Sequence, residues 1–486
     1  MTDPLVGALA GLEPAPLWRY FLGLSAIPRP SGRERDAALW VAAQARALGC
    51  EVEMDAVGNV LARKAASPGR EDRPPVALQC HIDMVCEKNE GTTHDFTRDP
   101  IRIRRDGEVI RATGTTLGAD NGIGVATALA VLAGVDLVHP PVEALFTVDE
   151  ESGLTGVGHL APGWLRAPRL LNLDSEEEGE LTIGCAGGVD TTASRTLTFS
   201  APPPGSVALS IKVSGLKGGH SGVDIELGRA NALRLLGQIL EVALRSHDVT
   251  LGRVTGGNQR NAIPREAHAV VCCAPGRVQV LRLEVARLAD EARLAFGAFD
   301  PGITVGVAPT TCDRVMRDAD ARALVGLLLA GPHGVEAMSP DIPGLVQTST
   351  NMGVLEMEEG RVSVNFMTRS SIDPSRRALT ARIHVVCTLC GFDAEDSGAY
   401  PGWKPHPDAA VVRLVDDVHR EVYGKPMVIK AIHAGLECGL IAEKYPTMEM
   451  ASFGPAMGDV HTPDEYLSIP SVANFWRLLV AVLARM

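Results

Sequence analysis

PPVALQCHIDMV (74–85), NGIGVATALAVLAG (121–134), VEALFTVDEE (142–151) and RLLNLDSEEEGE (169–180) decide the fold. The first, third and fourth are short apolar runs of strand length that turn polar at their carboxyl ends. The second has the length and apolar periodicity of a buried helix. Strand, helix, strand in this order predicts parallel strands in a doubly wound sheet. Ligands of such sheets sit beyond the carboxyl ends of the strands, so three acidic strand ends point at one site. Upstream, residues 17–48 read as helical. EVEMDAVGNVLARK (51–64) alternates like a hairpin turning at Gly58 and Asn59, which makes the sheet mixed.

The pattern changes near Gly187. SVALSIKVSGL (206–216), EAHAVVCCA (266–274), GITVGVA (302–308) and GRVSVNFMTR (360–369) alternate with period two, and helical stretches such as 229–244 and 281–296 lie between them. This predicts an antiparallel sheet covered by helices. After the linker AYPGWKPHPDAA (399–410), apolar segments at 411–424, 433–445 and 471–485 return to the first pattern. The expected class is α/β: a catalytic domain from residues 1–187 and 399–486, with an α+β lid domain, 188–398, inserted between its halves.

Composition narrows the function. The 486 residues are 45% hydrophobic and 22% charged, as in ordinary globular proteins of two or three domains. Fifty-nine acids against 46 Lys and Arg give a formal charge of -13, which argues against nucleic acid or an anionic membrane as partner. The N-terminal stretch carries Asp3 and no basic leader pattern, and no apolar run reaches the ~18 residues of a membrane span, so a cytoplasmic location is expected. Ten cysteines without framework spacing suit free thiols. Cys387 and Cys390 form a lone C-x-x-C in an apolar segment and read as core packing, because a structural zinc site needs four ligands.

The chemistry concentrates in five places: His81 and Asp83 in QCHIDMV, Asp120 in GADNG, Glu150 and Glu151 in TVDEESG, Asp174 in LNLDSEEEG, and His461 in GPAMGDVHTPDE. Carboxylates crowded on one sheet edge repel one another, and a cation relieves that. Two imidazoles mixed with carboxylates suit zinc, with manganese or cobalt able to substitute. If each of two ions takes three ligands and one carboxylate bridges them, five ligands are needed. His81, Asp120, Glu151, Asp174 and His461 are five.

These blocks resemble the dinuclear-zinc aminoacylase and carboxypeptidase group of metallopeptidases. CHIDMVCEKN (80–89), TTLGADNGIG (115–124), LNLDSEEEGELTIGCAGG (171–188), GGHSGVDIELGRANA (218–232) and IHAGLECG (432–439) look more narrowly like the aminoacyl-histidine dipeptidases of that group. The resemblance implies a cytosolic homodimeric enzyme that hydrolyses dipeptides, Xaa-His and beta-alanyl-histidine among them. It implies two zinc ions, with His81 and Asp174 on one, Glu151 and His461 on the other, and Asp120 bridging. A cis peptide between Asp120 and Asn121 goes with that pattern. Asp83 shares a strand face with His81 and would fix its tautomer. Neighbouring side chains on an extended backbone point apart, so Glu150 and Glu151 are expected to do different work, and the resemblance implies Glu150 as general base and Glu151 as ligand. In the lid, the resemblance implies that His220 in GGHSG stabilises the oxyanion, while Asn261, Arg369 and Gly435 hold the substrate's C-terminal carboxylate; an Arg fork suits that task.

Three alternatives stand against this. A dinucleotide site at GADNGIGVAT fails because Thr127 stands where the third glycine belongs. The same dizinc scaffold could serve an N-acyl amino acid deacylase or an aminopeptidase. A silent metal-binding relative is the third, and the intact Glu150 speaks against it.

Overall fold

The computed structural model describes residues 7–245 and 249–486; Asp3 lies outside them. The chain divides into two compact units. The first runs to Gly184 and includes Trp403–Ala431 and Leu436–Met486, and the second comprises Cys185–Gly402 and Ile432–Gly435.

The first unit is built on an eight-stranded mixed sheet in the order Glu51–Met54, Val60–Lys64, Val142–Thr147, Val76–His81, Arg169–Asn172, Glu449–Ser452, Glu180–Cys185, Val428–Ile432. Val76–His81 pairs in parallel with Val142–Thr147 and with Arg169–Asn172, and Glu449–Ser452 extends the parallel centre. The hairpin Glu51–Met54 and Val60–Lys64 adds antiparallel strands, with Gly58 at a positive φ of 110° in its turn. Every residue of the two strands Val76–His81 and Val142–Thr147 is buried, as continuous apolar runs in a sheet covered on both faces must be. The helix Ala119–Ala133 is buried almost throughout and packs on Val76–His81 and on the helix Ala15–Ser25. The helical stretch expected over 17–48 is two helices, Ala15–Ser25 and Arg35–Ala47. IPRPSG (27–32) separates them: two prolines remove amide donors, and Gly32 takes a φ of 74°.

The second unit holds a nine-stranded antiparallel sheet ordered Thr304–Pro309, Val207–Ser214, Ala267–Cys273, Val249–Gly256, Val346–Glu358, Arg361–Ser370, Gly187–Thr196, Asp393–Tyr400, with Gly334–Met338 also on Val346–Glu358. Its core joins Leu209, Ile211 and Val213 of one strand to Leu233, Leu236 and Leu240 of the helix Ala232–Arg245. Four of these strands match the period-two segments of the sequence. Asp393–Tyr400 escaped that pattern because it is an exposed edge strand with few apolar residues to alternate. Cys387 is buried in this core, and both it and Cys390 are free thiols. Among the described residues, no helix is long and apolar enough to cross a membrane.

Candidate active site

The parallel strands of the first unit deliver His81 and the carboxylates to one place. His81 ends its strand, and its Nε2 lies 3.1 Å from Asp120 Oδ1 and 3.3 Å from Asp174 Oδ1. The Nε2 of His461 lies 3.2 Å from Asp120 Oδ2 and 3.1 Å from Glu151. Asp120 therefore gives one carboxylate oxygen to each imidazole, and two triads share it: His81, Asp120, Asp174 and Asp120, Glu151, His461. The potential ligand atoms of each triad lie within 4.8 Å of one another, and Glu150 forms a third such group with His81 and Glu151. Asp174 Oδ1 is buried with no hydrogen-bond partner. One imidazole and two carboxylates per triad, with a buried acceptor left over, fit borderline divalent ions such as zinc, manganese or cobalt.

Residues behind the cluster fix it. Asp83 is fully buried. Its Oδ1 lies 3.3 Å from His81 Nδ1 and accepts the Glu150 N–H at 3.0 Å, while its Oδ2 accepts from Ser31 Oγ at 2.7 Å and from the Glu151 N–H at 3.2 Å. One carboxylate thus orients both an imidazole and the turn that carries the glutamate pair. Asp149, just before that turn, and His461 sit at positive φ, 53° and 62°, conformations that non-glycine residues seldom adopt and that cluster at functional sites. The Asp120–Asn121 peptide is cis.

Three further residues had no place in the sequence reading. Glu465 Oε2 accepts the N–H of Leu117 at 2.6 Å and of Gly118 at 3.0 Å, and its Oε1 accepts that of Ala119 at 2.8 Å and of Asp120 at 3.4 Å. Arg29, also buried, donates to the carbonyls of Ile82, Asp83 and Gly118. Glu437 accepts from Gln79 and from Thr147 through Oε2, and its Oε1 is buried without a partner. Glu437 and Glu465 lie in motif blocks already singled out, HAGLECG and GDVHTPDE; Arg29 lies between two prolines with no periodicity to mark it.

The electrostatics describe a pocket short of positive charge. Hydrogen bonds to Asp120 and Glu151 push His461 up to about 11. Burial opposes a proton on His81, yet Asp174 and Asp120 still raise its pKa well above the usual imidazole value. Burial raises Asp174 to about 6, and Asp83, despite its burial, is held at about 2 by His81 and the Glu150 N–H. Burial also pushes Glu150 well up, with Asp174, Glu437 and Glu151 adding to the effect against His81.

The lid candidates belong to the second unit. His220 Nδ1 accepts the N–H of Gly222 at 3.3 Å and of Val223 at 3.2 Å, which leaves its proton on Nε2. Burial, then Arg369, lowers its pKa, so the ring is a neutral N–H donor. Asn261 lies directly beside it: its carbonyl accepts from Ser221 N at 2.8 Å, and Ala262 forms an isolated antiparallel bridge with His220. Arg369 is buried, donates from Nη1 to Tyr400 Oη at 3.2 Å, and keeps its Nε without a partner. Gly435 packs on that tyrosine; a Cβ there would come within 3.0 Å of its ring. His433, unassigned in the sequence, joins the group through Ser349 Oγ at 2.7 Å, and burial with Arg369 nearby lowers it to about 3.

A model of peptidase family M20/M25/M40 matches residues 77–485. The cytosol non-specific dipeptidase of Escherichia coli (strain K12) is 42% identical over 476 residues, 98% of each chain. The crystal structure of aminoacylhistidine dipeptidase from Vibrio alginolyticus aligns over 98% of both chains with a TM-score of 0.92 and 43% identity. At 17% identity, aminopeptidase PepT from Bacillus cereus ATCC 10987 aligns over 97% of this chain and 98% of its own with a TM-score of 0.56, a likeness of fold.

Proposed function

The chain belongs to peptidase family M20/M25/M40, and from that premise we propose that it is a cytosolic metallodipeptidase, hydrolysing dipeptides with a free amino terminus, Xaa-His and beta-alanyl-histidine among them, with two zinc ions. The observation that carries this reading is the sharing of Asp120, one oxygen to each imidazole, at 3.1 and 3.2 Å. His81 and Asp174 would hold one ion, Glu151 and His461 the other, and Asp120 both. The names of the Escherichia coli and Vibrio relatives support the substrate class and the compartment.

Ions held there would supply Lewis-acid polarisation of the scissile carbonyl and a water acidified toward a pKa of ~7. Glu150 takes the proton of the attacking water. It then delivers that proton to the leaving amine as the C–N bond breaks. The Nε2–H of neutral His220 donates to the oxygen on which negative charge develops. Arg369, with Asn261 and the backbone at Gly435, binds the C-terminal carboxylate, and the unpartnered Nε of Arg369 is a donor ready for it. Asp83 keeps His81 in the tautomer that presents Nε2.

The test is a dipeptide panel including beta-alanyl-histidine, run on chelated and on zinc-restored protein. Turnover restored by zinc, with about two ions per chain in the native protein and fewer in Asp120→Ala, is the expected result. Cleavage that survives chelation, or one tight ion unaffected by Asp120→Ala, would overturn the reading. Light scattering checks the expected homodimer.

A further inference from the structure

The strand Arg361–Ser370 runs beside Gly187–Thr196 with Arg369 opposite Gly188, Met367 opposite Asp190 and Asn365 opposite Thr192. Alternate residues of a strand share a face, so Arg369, Met367 and Asn365 lie on one surface together with Asp190. On that surface is a groove of 470 Å³, lined by Asp190, Asn365, Met367, Val354, Asn261 and Arg260. It therefore includes one residue assigned above to the substrate's carboxylate, and the strand face leads from it toward another, Arg369.

The polar groups in this groove are mismatched. Asn365 is 6% exposed, and its Nδ2 donates to Asp190 Oδ1 at 3.1 Å. A carboxylate has nothing to donate, so this bond fixes which way the amide faces. Asn365 Oδ1 is then left buried with no partner. A buried acceptor without a donor calls for an explanation, and here it sits beside a carboxylate that also accepts. The nearest cation, Arg260, is largely exposed and stays 3.7 Å from Asp190 Oδ2, beyond hydrogen-bond distance. What Asp190 and Asn365 lack is a positively charged donor within hydrogen-bond distance. Met367 and Val354 offer an apolar wall of the kind that covers methylene stems of long basic side chains.

Distance decides which donor. Two residues of strand, from the register of Arg369 to that of Asp190, span about 6.6 Å. A lysine ammonium reaches roughly 6 Å from its own Cα, an arginine slightly further, while a leucine or alanine ends short and has no donor. We infer that this groove receives the side chain of the substrate's C-terminal residue and that Asp190, with Asn365, selects lysine or arginine there. The inference rests on the dipeptidase reading and adds a specificity-determining pair to it.

The test compares Ala-Lys with Ala-norleucine, which has a side chain of similar length without the charge. The wild type is expected to favour Ala-Lys in kcat/KM by about tenfold or more, the scale of one charge-assisted hydrogen bond at a partly exposed site. In Asp190→Asn that ratio should fall toward one. Free lysine should also inhibit the wild type more strongly than free norleucine, a measurement that needs no variant. Equal cleavage of the two dipeptides by the wild type, or a ratio within twofold of wild type in a folded Asp190→Asn, overturns the inference and leaves the dipeptidase reading intact. Failure of the zinc-loaded enzyme to cleave either dipeptide overturns both.

Discussion

Replacing Glu465 with glutamine should weaken metal binding although Glu465 is not a candidate ligand. Its two oxygens accept four backbone N–H groups, of Leu117, Gly118, Ala119 and Asp120, which set the segment that presents Asp120. Glutamine keeps one carbonyl oxygen. Whichever way its amide turns, one pair of N–H groups faces an NH2 and loses its acceptor. Hydrogen bonds to a charged group are worth about 1.5–3 kcal/mol each, so the segment loses up to about 3–6 kcal/mol of restraint. Part of this returns as the loop relaxes. Half the lower bound felt at the bridging carboxylate is about 1.5 kcal/mol, or tenfold in affinity, at the low end of the 10–100-fold that such supporting residues usually command. Titrating zinc into apoprotein against a chromogenic chelator measures this directly, with Glu465→Asp as a control that keeps the charge. Both ions held by Glu465→Gln with unchanged affinity, and kcat/KM within twofold of wild type, would refute the idea that Glu465 positions Asp120.

Glu150→Gln should keep both ions but lower kcat about 100-fold or more, whereas Glu151→Gln should lose affinity at one ion; the reverse pattern in metal analysis and kinetics would exchange base and ligand. Arg369→Ala should cost ~10- to 150-fold in kcat/KM for free dipeptides, and dipeptide amides should lose nearly as much on the wild type and little more on the variant. Wild-type cleavage of amides or tetrapeptides as fast as free dipeptides would refute carboxylate capture. His433, buried and lowered to about 3, stays neutral in the fold while an unfolded histidine charges near 6.5. Its contribution is present above about 6.5 and is lost as pH falls toward 3, at up to about 1.4 kcal/mol per pH unit. The fall in thermal midpoint on acidification through this window should be shallower in His433→Gln than in wild type, and equal slopes would exclude a role for His433.

What was legible in the sequence, and what was not, follows from how each residue is marked. His81, the glutamate pair and Asp174 stand where continuous apolar runs give way to polar residues, and strand order alone places such ends on one edge. Asp120 opens a strongly apolar helix, so an acid there is conspicuous. The lid strands were legible where burial alternates, as in Val207–Ser214, and illegible in Asp393–Tyr400, where most residues face solvent. Residues that hold the site from behind carry no such mark. Glu465 meets its partners across 345 to 348 positions of sequence, and Glu437 meets Gln79 across 358. Nothing local requires either to be acidic. Their identity is dictated by backbone N–H groups and amides that only the folded chain brings to them, and a buried carboxylate is tolerable only when such donors surround it. Glu465 meets that condition with four donors. Glu437 meets it on one oxygen alone, which fits a carboxyl raised by burial to about 8 and so kept protonated at neutral pH. A neutral acid behind His81 and Asp174 adds a polar anchor without adding a further negative charge to a cluster already crowded with carboxylates.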